Sequence, residues 1–164
     1  MPMTGLKAFI CLVFLGLAAP LKAGELVEFE GYNPGTIVIH TKARKLYYVT
    51  SADMALQYKI GVGRSGKQWS GTTFVMDKRV WPAWSPPASV KRAEPWLPDV
   101  IPGGENNPMG ARAILLEGEY AIHGTNKPET VGGFVSYGCF RMYNWDVEEL
   151  YQYVQPGTPV VVTH

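Results

Sequence analysis

Cys139 stands in "VSYGCFRM", Val135 to Met142, with Gly138 before it and Arg141 two residues after it. His123 lies 16 residues upstream, at the end of "YAIH". A thiol beside an imidazole suits nucleophilic catalysis: the imidazole takes the proton and the sulfur attacks. Arg141 adds positive charge that favours a thiolate or holds a substrate carboxylate. Gly138 leaves the backbone open, so the N–H groups of Gly138 and Cys139 can face a developing oxyanion. Thiolate formation alone contributes little. A thiol of pKa about 8.5 is roughly 3% ionised at pH 7, so full ionisation gains a factor of about 30, or about 2 kcal/mol. Substrate placement and oxyanion contacts must supply the rest.

Other chemistries fit less well. Ser136 lacks the glycine two residues before it that a G-x-S-x-G elbow needs, and neither S-x-x-K nor K-T-G occurs. A serine acyltransferase of the penicillin-binding type is therefore excluded. The chain has three histidines and two cysteines, too few and too scattered for a four-ligand zinc site. His40 reads as a satisfied sheet histidine and His164 as a frayed terminus. No metal or cofactor is expected.

The compartment gives the thiol its meaning. Lys7 precedes "AFICLVFLGLAA", Ala8 to Ala19, which is shorter than the roughly 20 residues a membrane span needs. A basic start, a short apolar run and small residues describe a secretory signal. Residues 1–23 are assigned to it, with cleavage after Ala23 preferred to cleavage after Ala19; an uncleaved anchor is the alternative. Lys7 and Lys22 leave with it, so Lys+Arg falls from 15 to 13 against 14 acidic residues, a net charge of −1. A nucleic-acid binder needs a basic surface, so that class is excluded. Cys11 leaves too, and Cys139 loses any partner within its own chain. It is then buried and inert, paired between chains, or reactive.

The elements that must position these groups are mostly strands. "GTIVIHT" (Gly35 to Thr41), "RKLYYVT" (Arg44 to Thr50), "ALQYKIGVG" (Ala55 to Gly63), "TTFVMDKRV" (Thr72 to Val80) and "TPVVVTH" (Thr158 to His164) are rich in β-branched and aromatic residues. "ARAILLEGEYAIHG", Ala111 to Gly124, reads as a hairpin turning near Glu117-Gly118. One helix is expected, capped by Asn144, with Val147, Leu150, Tyr151 and Val154 at helical spacing and Pro156-Gly157 as the stop. The fold class is mainly β, a sandwich or barrel with one helix packed on it. Trp81 to Gly110 holds seven of the 13 prolines and three of the five tryptophans and shows no periodicity. A segment this long is either the wall of a binding cleft or a structural wrap.

"HGTNKPETVGGFVSYGCFRM", His123 to Met142, resembles the signature of the L,D-transpeptidase (YkuD-type) catalytic domain, in which H-G, a spacer and S-x-G-C-x-R-M/L follow one another. His123, Gly124, Ser136, Gly138, Cys139, Arg141 and Met142 match it. Tyr137 and Phe140 depart from the usual residues at their positions. The likeness runs over residues 35–162, within one domain, 24–164. It implies a β-sandwich core in the cell envelope, with Cys139 as nucleophile and His123 as general acid/base. It implies that the carbonyl of Gly124 orients His123 and that Arg141 and Ser136 shape the site. The implied reaction attacks the L-centre–D-Ala bond of a tetrapeptide stem, releases D-Ala and passes the acyl group to an amine. The partners implied are peptidoglycan stem peptides and an acceptor envelope protein; the chain is expected to be a periplasmic monomer. Hydrolysis of the same bond by an L,D-carboxypeptidase, and a non-catalytic wall-binding module, remain as alternatives.

Overall fold

The computed structural model describes residues 24–164. The expected signal, residues 1–23, lies outside the described residues. The strands are β1 (Glu25–Glu28), β2 (Ile37–His40), β3 (Lys45–Val49), β4 (Met54–Lys59), β5 (Val62–Gly63), β6 (Gly71–Val80), β7 (Arg112–Leu116), β8 (Ala121–His123), β9 (Phe134–Ser136), β10 (Phe140–Arg141) and β11 (Pro159–Thr163). The helices are α1 (Ala88–Ala93) and α2 (Asn144–Tyr153).

Nine strands pair in the order β1-β4-β3-β2-β11-β6-β7-β8-β10, and β5 pairs with β9 separately. The sheet divides at β6. Its first half, Gly71 to Phe74, pairs with β11; from Val75 onward it pairs with β7. The register slips between Val75 and Asp77. A bulge of this kind lets one strand pass from one leaf to another. Ile37, Ile39 and Leu46 of one leaf and Ile114, Leu116 and Ile122 of the other share one buried cluster with Val147 and Leu150 of α2. That is the expected mainly β core with a helix packed on it.

The long β-branched runs and the β7–β8 hairpin lie where the sequence places them. Four details differ. The third expected strand breaks at Ile60-Gly61: β4 ends, and β5 leaves to pair with β9. Gly61 exchanges backbone hydrogen bonds with Arg141 there, so the chain crosses beneath the Cys139 loop. Asn144 is not a cap. It is the first helical residue, and its Oδ1 accepts the N–H groups of Ala111 (3.1 Å) and Thr125 (3.0 Å), bolting α2 to the two ends of the β7–β8 hairpin. Lys78 Nζ serves the other end of α2, donating to the carbonyls of Tyr151 and Val154. A cation there also complements the helix dipole. His164 is tied down, with Nδ1 3.0 Å from Thr41 Oγ1, whereas His40 sits on β2 beside the rings of Phe29 and Tyr47, as a sheet histidine.

The fourth difference is α1, a six-residue helix within residues 81–110 that buries Val90. The rest of that segment is irregular but ordered. Asn107 is buried, and its Nδ2 donates to the carbonyls of Pro82, Ile101 and Pro102 at 2.9–3.0 Å. Its Oδ1 accepts the N–H of Met109 at 2.8 Å. Prolines supply no N–H, so a side-chain amide takes over the role a ladder plays elsewhere.

Candidate active site

β10 runs parallel to β8, with Phe140 opposite Ile122 and Arg141 opposite His123. Side chains alternate along a strand. Phe140 and Ile122 therefore share one face, and both belong to the core cluster. Arg141, Ala121 and His123 take the other face, and Cys139 directly precedes β10. They line a cleft of about 1390 Å³. Two short strands and the residue before β10 thus bring imidazole, guanidinium and thiol to one cleft. Trp84, Val90, Glu94, Leu97 and Met109 of the 81–110 segment line the same cleft, with Trp84, Met109 and Cys139 in one apolar cluster.

His123 is 5% exposed. Its Nδ1 lies 2.6 Å from the carbonyl oxygen of Gly124. A carbonyl only accepts, so Nδ1 carries the proton and Nε2 keeps its lone pair. Burial, and then the charge of Arg141, push His123 down to about 4. Burial pushes the Cys139 thiol up; a backbone contact at Ala121 and the charge of Arg141 pull the other way and do not prevail. Both groups are therefore neutral at pH 7. Arg141 does favour the thiolate, as expected, but desolvation outweighs it. The thiol and the imidazole therefore form no ion pair, and Cys139 Sγ lies 3.9 Å from the carbonyl oxygen of Glu119.

Ser136 Oγ clips the nucleophile loop by donating to the carbonyl of Cys139 (2.6 Å) and accepting the N–H of Gly138 (3.1 Å). The N–H of Gly138 is thus occupied here by Ser136 Oγ, which does not leave it open as the sequence suggested. Gly138 is needed for its shape. Its φ is +126°, and a Cβ would stand 2.7 Å from the Tyr120 ring. Trp69 stacks on Tyr120 and donates Nε1 to the Gly138 carbonyl at 3.0 Å. The sequence singled out neither Trp69 nor Tyr120; both come from loops and turns remote from Cys139. Arg141 donates Nη1 to Thr130 Oγ1 at 2.9 Å, while its Nε is buried without a hydrogen-bond partner.

The L,D-transpeptidase catalytic-domain model matches residues 34–162. The chain belongs to that family. A relative, probable L,D-transpeptidase YbiS of Escherichia coli K12, is 34% identical over 142 residues, covering 83% of this chain and 46% of that protein. The chain thus spans about half the length of the curated relatives it matches. The catalytic domain of an Enterococcus faecium L,D-transpeptidase, acylated by ertapenem, superposes with a TM-score of 0.60 at 19% identity, covering 78% and 95% of the two chains. At that identity it shows the fold. A Brucella melitensis structure described as a probable carnitine operon oxidoreductase caia is 40% identical, with a TM-score of 0.58 and coverage of 89% and 96%. That description names another chemistry than the family model and YbiS do.

This L,D-transpeptidase domain carries one further link across its cleft. Tyr137, a departure from the usual family residue, donates its hydroxyl to Glu94 Oε1 at 3.1 Å. The Arg64 guanidinium lies over its ring, 3.9 Å from the centroid. Glu94 ends α1, so the bond ties the 81–110 segment to the residue two before Cys139.

Proposed function

We propose that this domain is an exported cysteine acyltransferase acting on peptidoglycan. Cys139 Sγ attacks the carbonyl of the L-centre–D-Ala bond of a tetrapeptide stem as Nε2 of His123 takes the thiol proton. Charge gathers on the carbonyl oxygen and is met by the N–H of Cys139. The bond to D-Ala breaks, and His123 returns the proton to the departing amine. The thioester is then attacked by a side-chain amine of a second stem or of an envelope protein, which loses its proton to His123. The product is a 3→3 crosslink or an anchored protein. Arg141, fastened by Thr130, offers its charge to a substrate carboxylate.

The observation that carries this reading is the one cleft that His123, Cys139 and Arg141 line together, with the Gly124 carbonyl fixing the tautomer of His123. The family assignment supports it. Purified protein incubated with tetrapeptide muropeptides tests it: D-Ala release with dimer formation is expected. Tripeptide without dimer would instead mark a carboxypeptidase. The nucleophile is tested by mass spectrometry after exposure to a carbapenem. A single adduct is expected, and one that survives Cys139→Ala would overturn the assignment.

A further inference from the structure

Glu149 lies on α2, away from the cleft. Its Oε2 accepts the N–H of Gly24 at 2.8 Å and the hydroxyl of Tyr58 at 3.0 Å. Tyr58 is 2% exposed, and burial together with the charge of Glu149 raises its hydroxyl far above the ordinary phenol range. It stays protonated and serves as a donor. Both of these partners of the carboxylate are neutral while Gly24 is an internal residue. The ion pairs among the described residues are Arg79–Asp77, Lys91–Asp99 and Arg112–Glu148, and none includes Glu149. Asp146, one turn earlier, adds negative charge near Tyr58. The place is shaped for glycine: a Cβ on Gly24 would stand 2.6 Å from Tyr58 Cε1.

Independently, the sequence favours signal cleavage between Ala23 and Gly24 over cleavage after Ala19. We infer that Gly24 is the N-terminus of the exported protein and that Glu149 and Tyr58 form a socket for its α-ammonium. A signal peptidase adds water across the Ala23–Gly24 bond: Ala23 departs as a carboxylate, and the nitrogen of Gly24 becomes an ammonium. One amide N–H then becomes three N–H donors bearing a full positive charge, and the half-buried carboxylate gains its counter-ion. The position is selective. Cleavage one residue earlier moves the ammonium about 3.5 Å along the chain. Cleavage one residue later removes the donor altogether. β1 follows directly and pairs only with β4 at the sheet edge, from Glu25 opposite Gln57 to Glu28 opposite Met54. Processing thereby pins an exposed edge strand to α2.

Intact-mass measurement of the exported protein should give the mass of residues 24–164; any other N-terminus overturns the inference. Thermal unfolding of protein beginning at Gly24 is then compared with protein beginning at Ala23, each with Glu149 and with Glu149→Gln. The extra alanine keeps every existing side chain and moves the ammonium from Gly24 to Ala23, about 3.5 Å along the chain. It should lower Tm by about 2–4 °C when Glu149 is present, the shift of about 1 kcal/mol in a domain of this size. It should do nothing in Glu149→Gln. Equal shifts in both backgrounds would show that no pairing exists. Neither readout depends on transpeptidase activity.

Discussion

The two walls of the cleft are ordered by different means. The wall that carries Arg141 and His123, with Cys139 just before β10, is a ladder in which backbone pairing sets the side-chain directions of β8 and β10. The wall formed by residues 81–110 has one short helix and one isolated bridge, between Trp84 and Ile101. Side chains hold much of its shape, among them the buried amide of Asn107, Lys91 on Asp99, and Tyr137 on Glu94. In the first wall the backbone positions the side chains; in the second, side chains position the backbone. Substitutions in the ladder should therefore strike chemistry with little loss of folding. Substitutions in the loop wall should strike substrate binding and stability before chemistry.

The largest effect tests the ladder. Cys139→Ala should abolish turnover and carbapenem acylation while Tm stays within a few degrees of wild type, read by mass spectrometry and thermal unfolding. A collapse of Tm would mean that the thiol holds the loop together, and the contrast between the walls would fail. His123 gives the next effect. Its removal should cost about 10²–10⁴-fold in kcat/KM, the range for general acid–base catalysis. Its pH dependence is more discriminating. The base works as neutral imidazole, and its pKa is pushed down to about 4. The acid limb of kcat/KM should therefore fall near pH 4, well below the ordinary histidine range. The same shift acts on stability. Between about pH 6.5 and 4 the unfolded chain binds a proton that the folded chain refuses, so stability is lost as pH falls through that window, by about 3 kcal/mol. An acid limb near 6.5 would mean that His123 is reached by water and is not the buried base described here.

Asn107→Ala tests the loop wall. It removes donors from three proline-region carbonyls and the acceptor of the Met109 N–H. Buried groups left unsatisfied should cost about 3 kcal/mol of stability. KM for the stem peptide should rise more than kcat falls. An unchanged KM with full loss of kcat would show that this wall shapes the reacting centre directly.

The same contrast explains what could be read in the sequence. β2, β3, β6 and β11 were legible because β-branched residues dominate them, and the β7–β8 hairpin because Gly118 marks its turn. His123 and Cys139 were singled out through residue type and spacing, and both line the cleft. Their relative placement was not, because β9 and β10 are three and two residues long, too short to show a period. The role of Asn144 was misread for a related reason. The residue has the right type and place for a cap, and only the folded hairpin presents it with the N–H groups of Ala111 and Thr125. Nothing in "GGENNPMG" separates Asn107 from Asn106 as the organising amide. Trp69 and Tyr120 shape the Gly138 turn from loops far along the chain, so no local pattern points to them. Local rules reach the elements, whereas the loop wall depends on contacts that form only after the sheet does.

The smallest effect decides whether the two walls act as one. Tyr137→Phe deletes the hydrogen bond to Glu94 and keeps the ring beneath Arg64. A neutral donor to a carboxylate across a part-open cleft contributes about 1 kcal/mol, so KM should rise about fivefold. The chemical step should be untouched, because the ladder does not depend on the bond. Glu94→Gln, with Tyr137 in place, retains an acceptor oxygen and should keep most of the wild-type KM, which a purely electrostatic role for Glu94 would not allow. A fall in kcat with KM unchanged would break the comparison at its joint. Tyr137 would then act on Cys139 through the loop they share, and the side-chain wall would set the geometry of the backbone wall.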